Sequence, residues 1–298
     1  MSHLLFIFVS CLWGTSFLLM AVALPVFGAI GVGAGRVLFG ALAFGALWRL
    51  RGSRWPFKRK DIAPVIAVAV IGYSLPFCIM PYVIGVVDEH SKHGSSFAGM
   101  MIALVPIMTI VVSIPLLGVW PRFQQLIGVI GGLGGMYLLF SEEISHAVPV
   151  RDLLLATVVP FVYALSNTYI KRRFEHTPPL ALVTAVMSVS ALVMLPLAIG
   201  VQPIQLEGKV WVAILCVVVL GVVNTAGGTY VFYGLLREHG PLYAGMVSYI
   251  IPTVALLMGL LRGETITARQ LIAMAIIFAM VAITQTSRPR QVETIAQP

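Results

Sequence analysis

Charge is what this chain has least of. Of its 298 residues 11 are acidic and 19 are basic, and charged residues make up 10%, against about 25% in a soluble domain. No soluble fold of this length can hide the apolar remainder, so the bilayer must be the solvent for most of it. Cysteine is scarce as well. Cys11, Cys78 and Cys216 sit inside apolar runs at no metal-ligand spacing and read as small packing residues. Catalytic signatures are missing: there is no H-E-x-x-H, no G-x-S-x-G, no Walker A lysine loop and no Cys-x-x-Cys. No Asp or Glu falls in the core of an apolar run. These absences argue against an enzyme and against a pump that hydrolyses ATP itself. They also leave no expected cofactor or metal.

What the chain does have is apolar length. It is 59% hydrophobic, with a mean hydropathy of +0.98. A helical crossing needs ~20 mostly apolar residues. Ten stretches qualify, near 4–23, 28–48, 62–86, 95–117, 123–141, 153–171, 179–200, 211–235, 241–261 and 268–286. The breaks between them carry Pro25, the run Arg49 to Asp61, Asp88-Glu89, Pro121-Arg122, Glu142-Glu143 and further polar clusters. The runs are continuous and do not alternate, which favours helices over barrel strands. The first stretch lacks a basic leader and recurs inside the chain, so it reads as a retained helix and not a signal peptide.

The second half repeats the first. His93-Gly94-Ser95-Ser96-Phe97-Ala98-Gly99-Met100 returns as His239-Gly240-Pro241-Leu242-Tyr243-Ala244-Gly245-Met246, and Pro106 returns as Pro252, at a shift of 146. Gln125-Leu126-Ile127 returns as Gln270-Leu271-Ile272 at 145. Earlier the shift is 149–150: Trp13-Gly14-Thr15-Ser16 answers Tyr163-Ala164-Leu165-Ser166, and Gly72 answers Gly221. Two copies of one unit are implied. The first repeat is residues 1–141, an external connecting loop is 142–151, the second repeat is 152–287, and 288–298 is a cytoplasmic tail. Five crossings per copy is an odd number, so the copies enter from opposite sides. The expected fold is an all-α membrane protein of ten transmembrane helices in two inverted five-helix repeats.

Loop charge sets the orientation. The N-terminal end, the even-numbered loops and the tail hold 13 of the 19 Lys/Arg, and the odd-numbered loops hold 5. Both termini are therefore expected in the cytoplasm, with the cytoplasmic membrane as the location. The basic run Arg49 to Lys60 dominates that count. It explains much of the net charge of +8 without nucleic-acid binding.

Arg36 is the one charge inside a crossing. It reads either as a contact to an anionic substrate group or as a strut bonded to carbonyls of a neighbouring helix. Pro106 and Pro252 sit mid-crossing at matched positions, which marks them as candidate hinges at a midplane site. His93 and His239 begin matched crossings on opposite faces and are candidate gate residues. Trp13, Ser16, Tyr73, Tyr82, Tyr163, Asn167, Asn224, Tyr230, Ser248 and Tyr249 are the candidate substrate contacts, with Arg36. They supply aromatic faces and a few hydrogen-bonding groups suited to an amphiphilic metabolite. Gly128, Gly131, Gly132 and Gly135 form overlapping G-x-x-x-G pairs. They read as close packing within the monomer or as a homodimer interface.

The chain resembles the EamA family of the drug/metabolite transporter superfamily over residues 4–286. The resemblance rests on Leu12-Trp13-Gly14-Thr15-Ser16-Phe17, Arg36-Val37-Leu38-Phe39 and Pro106. In the second half it rests on Gly221, Tyr230 to Gly234, Pro252 and Gly263-Glu264. It implies a ten-helix inverted-repeat carrier with a central cavity, whose relatives handle amino acids, sugars, nucleotides, vitamins and drugs. The family's glutamate after the fourth crossing is Val119 here, while its partner Glu264 is kept. Asp88 to His93 also departs from the family pattern. The expected function is a secondary transporter of small organic metabolites, amino-acid-like or otherwise amphiphilic, working by alternating access in the export direction. The partners are then a small-molecule substrate and the lipid bilayer. The alternative is a non-transporting membrane assembly protein or a membrane-embedded enzyme.

Overall fold

The computed structural model describes residues 2–52, 54–91, 98–99, 101–140, 150–201, 210–260 and 267–286. His93, Gly263-Glu264, most of the connecting loop and the tail lie outside the described residues. Every described element is helical. In order they are α1 (Ser2–Leu50), a 3-10 turn (Arg59–Asp61), α2 (Ile62–Ala69), a π-helical turn (Val70–Ser74) and α3 (Leu75–Ser91). Then come α4 (Val105–Leu117), α5 (Phe123–Phe140), α6 (Val150–Phe174), α7 (Pro179–Val201) and α8 (Val210–Val219). A second π-helical turn (Leu220–Gly227), α9 (Gly228–Gly245), α10 (Val247–Leu260) and α11 (Ala268–Thr286) complete the series.

Among the described residues, five helical runs are long and apolar enough to cross a membrane: Ser2–Leu50, Arg59–Val87, Pro179–Ile199, Val210–Gly245 and Ala268–Gln285. Val105–Leu117 and Phe123–Leu139 are shorter apolar helices. Runs are not crossings, however. A straight α1 would span ~74 Å, over twice a hydrocarbon core of ~30 Å. It folds back at Gly28, where φ is 63°. The Arg36 guanidinium reaches the Met20 sulfur at 3.3 Å, although 16 residues of straight helix would part them by ~24 Å. The break falls at Gly28 and not at Pro25, because a reversal needs positive φ and proline cannot supply it. Pro25 stays helical. Gly240, with φ 86°, makes a similar bend inside α9.

The two halves pack as partners. A methyl group on Gly128 of α5 would lie 2.8 Å from Met280 O of α11, and one on Gly135 would lie 3.4 Å from Ala273 O. The helices therefore run antiparallel. The 145-residue shift converts Gly128 into Ala273 and Gly135 into Met280, so these are one contact seen from each side. A methyl group on Gly99 would likewise lie 3.7 Å from Pro252, and one on Gly245 would lie 3.6 Å from Val105. Reciprocal contacts are what a two-fold relation between copies produces. The small residues of α5 thus serve a helix crossing within the chain.

One end of the bundle gathers the basic segments. His3 Nδ1 and Gln285 Oε1 are 2.9 Å apart, joining the start of α1 to the end of α11. Lys171 Nζ donates to Arg237 O at 2.7 Å, and Arg173 pairs with Asp61. Trp48, Trp55, Phe57 and Phe174 stack edge to face beside them. Basic side chains with an aromatic belt are what a membrane–water boundary selects.

Candidate functional site

A cavity of about 100 Å³ lies at the centre of the bundle, lined from both halves. A single water needs ~10–15 Å³ on that scale, so there is room for several. The lining follows the helical period of i, i+3, i+4 and i+7. Trp13, Ser16, Phe17 and Met20 come from the first arm of α1, and Arg36 from the second. Tyr73, Phe77 and Met80 follow from the first π-turn and α3, Tyr163 and Asn167 from α6. Thr225, Thr229 and Phe232 come from the second π-turn and α9, Ser248 and Ile251 from α10.

Both π-helical turns border this space. They begin 150 residues apart, at Val70 and Leu220, so each copy carries the same local widening. A π-turn adds a residue to one turn and leaves a carbonyl without its usual partner, and such turns gather at functional sites. The first brings Gly72 and Tyr73 to the cavity, and the second brings Thr225. The matched apolar stretches near 95–117 and 241–261 are interrupted too. A turn at Ala103-Leu104 precedes Pro106, and Met246 separates α9 from α10 ahead of Pro252. Pro106 occupies the first turn of α4, where its missing N–H costs nothing. Pro252 is interior to α10.

Arg36 is 6% exposed. Its Nε donates to Thr225 Oγ1 at 2.9 Å, one terminal nitrogen meets Met20 Sδ, and the guanidinium carbon sits 4.2 Å from the centre of the Phe77 ring. Among the described residues no carboxylate lines the cavity. Asn167 also faces the cavity. Trp13 is tied down: its Nε1 donates to Asn224 O at 2.8 Å, and its ring lies 4.9 Å from that of Phe232.

Toward the basic end, Tyr73 OH donates to Tyr233 OH at 2.7 Å, both buried. Tyr73 lines the central cavity. Tyr233 lines a second, smaller cleft with Lys171, Phe174 and Arg237. The tyrosine pair thus lies between cavity and cleft.

Of the sequence candidates, Trp13, Ser16, Arg36, Tyr73, Tyr163, Asn167 and Ser248 meet at the cavity. Four lie elsewhere. Asn224 is 1% exposed, and its amide is consumed by Leu12 O and Thr15 Oγ1 of α1. Tyr249 is fully buried, packs on Gly132 and donates to Val129 O at 2.8 Å. Tyr82 and Tyr230 are on the outer surface, Tyr230 against Phe44 at 5.9 Å. His239 stands next to the Gly240 bend, its ring 4.4 Å from Tyr243 and its Nε2 3.7 Å from Glu238. Thr229 and Tyr233 escaped the sequence reading. Their spacing of four and eight residues from Thr225 along one face is the signal that finds them.

Comparison with known proteins agrees with this architecture. The EamA-like transporter family model matches residues 1–141 and again 151–286. Twenty-nine solved chains match. One, described as a crystal structure of a protein, is 20% identical with a TM-score of 0.75, covering 96% of this chain and 97% of its own. It shares the fold. Comparison with curated proteins finds no match. With both halves matched, this multi-pass membrane protein belongs to the EamA-like transporter family.

Proposed function

We propose that the chain is a secondary carrier that moves small amphiphilic organic metabolites outward across the cytoplasmic membrane by alternating access. One observation carries the reading: a central cavity takes its lining from both halves, and the Tyr73–Tyr233 hydrogen bond lies between it and the cleft at the basic end. Opening toward that end requires the pair to separate, and a cavity shared by two copies reshapes when one copy rocks against the other. In this reading there are ten crossings in two inverted sets of five. The basic end and both termini face the cytoplasm. Pro106 and Pro252 act as hinges, since each follows an interruption in matched helices.

The test begins with a thermal-shift screen of the purified protein against a metabolite library, because a ligand that binds only the folded state raises its stability. Each stabilising compound is then tried in proteoliposomes for counterflow. A carrier accumulates labelled compound when unlabelled compound is loaded inside. A channel dissipates the label without accumulation, and a protein with no transport role moves none. Absence of counterflow for every stabilising compound sinks the carrier reading.

A further inference from the structure

Arg36 is buried and charged, and two of its five N–H groups are engaged, by Thr225 Oγ1 and Met20 Sδ. Both acceptors are neutral. Among the described residues no Asp or Glu pairs with it, and the cavity it borders contains no acid. A guanidinium does not give up its proton in a protein. A buried charge without a counter-charge is costly unless something pairs with it. The three remaining N–H groups, on the two terminal nitrogens, form the fork that takes a carboxylate in paired hydrogen bonds. The rest of the lining is mostly aromatic and aliphatic, with Trp13, Phe17, Phe77 and Phe232 among it.

We propose that the cargo of this cavity is an organic monoanion: one carboxylate held by Arg36, with a compact apolar body against the aromatic lining. This deepens the carrier reading and rests on it for the word cargo. Charge counting selects the class. One guanidinium neutralises one negative charge, so a dianion leaves a second charge buried. A zwitterionic amino acid brings an ammonium group that repels Arg36 and finds only neutral acceptors. A neutral amide of the same shape forfeits the charge pairing.

The test compares benzoate, benzamide, phenylalanine and phthalate, by calorimetry on the purified protein. Hydrogen bonds to charged groups are worth enough that benzoate should bind about tenfold or more tighter than benzamide. Phenylalanine and phthalate should also bind more weakly than benzoate. Arg36→Gln should erase the benzoate preference, and Arg36→Lys should keep part of it, since the charge survives without the fork. The comparison within the native protein needs no variant, so it decides the matter even if Arg36→Gln fails to fold. Equal binding of benzoate and benzamide, tighter binding of phenylalanine, or no binding of benzoate each overturns the inference. Counterflow separates the two claims. Counterflow of benzamide without benzoate keeps the carrier and removes the anion site. Benzoate binding without counterflow of any compound keeps the site and removes the carrier.

Discussion

The two halves of this molecule share a frame and differ in chemistry. Each has a π-helical turn at the matched position, each has a glycine there, and each contributes a helix to the reciprocal α5–α11 crossing. The charge is not shared. The equivalents of Arg36 under the 149–150 shift are Ala185 and Val186, both buried and apolar. The hydrogen-bonding amides are also unequal in role: Asn167 faces the cavity while Asn224 clamps α1. Duplication supplies a symmetric scaffold, and substitution in one copy supplies the buried charge at the cavity.

The largest expected effect breaks the symmetry of the matched glycines. A methyl at Gly221 would meet Arg36 O at 2.8 Å and Gly40 N at 3.2 Å, both main chain, besides Phe39 Cβ at 2.6 Å. A methyl at Gly72 would meet only Ser166, its Cβ at 2.7 Å. Overpacking of this kind costs about 1–3 kcal/mol, so both Gly221→Ala and Gly72→Ala should unfold earlier on heating. Trimming Ser166→Gly should recover stability in the Gly72→Ala background. Trimming Phe39 should leave Gly221→Ala impaired, because the carbonyl stays. A double-mutant cycle read by thermal unfolding decides it. Absence of coupling between Gly72 and Ser166 would show that the close approach is not the constraint.

A smaller effect sharpens the contrast between the two amides. Asn224→Ala should cost about 1–2 kcal/mol of stability, because it removes the part-buried hydrogen bonds from the amide to Leu12 O and Thr15 Oγ1, while those two groups keep each other as partners. Its effect on ligand affinity should be slight. Asn167→Ala should do the reverse, weakening the bound compound severalfold at roughly unchanged stability, within about 0.5 kcal/mol. Calorimetry and unfolding on the same preparations give both numbers. Parallel losses in the two variants would contradict the division of labour.

The smallest effect concerns the tyrosine pair. Tyr73→Phe removes the hydroxyl that donates to Tyr233, and Tyr233→Phe removes its acceptor. A net hydrogen bond is worth about 0.5–1.5 kcal/mol, so either change should shift the balance toward the state open at the basic end by a few- to about tenfold. A cysteine at Leu236, which lines the cleft beside Tyr233, should then react faster with a thiol reagent in a background lacking the native cysteines. Unchanged labelling in both variants would make the pair a packing contact.

Much of the fold is legible in the sequence because lipid imposes simple rules: crossings must be long, apolar and internally bonded. The repeat, the basic bias and Arg36 are visible for the same reason. The reversal at Gly28 is harder to read, since Pro25 is the louder signal and only the sign of φ distinguishes them. Site residues chosen by type alone divide. Asn224 and Tyr249 are polar groups that need partners, and neighbouring helices satisfy them. Tyr82 and Tyr230 fall two residues past Met80 and one past Thr229, which turns them off the lining faces. Helical phase, applied after residue type, separates lining from surface. It cannot show which neighbour absorbs an amide, because that depends on packing between distant segments.

Arg36 also ties the cavity to membrane voltage. On the monoanion reading, outward passage of one negative charge is favoured by an inside-negative potential, at about 2.3 kcal/mol per 100 mV. Once the carboxylate pairs with the guanidinium, the occupied core is electrically neutral, and the field has little hold on it. The field acts instead on the empty protein, whose single fixed positive charge must face inward again before the next load. Voltage would then drive the return stroke and not the loaded one, and the lack of a carboxylate beside Arg36 among the described residues is what leaves that stroke charged.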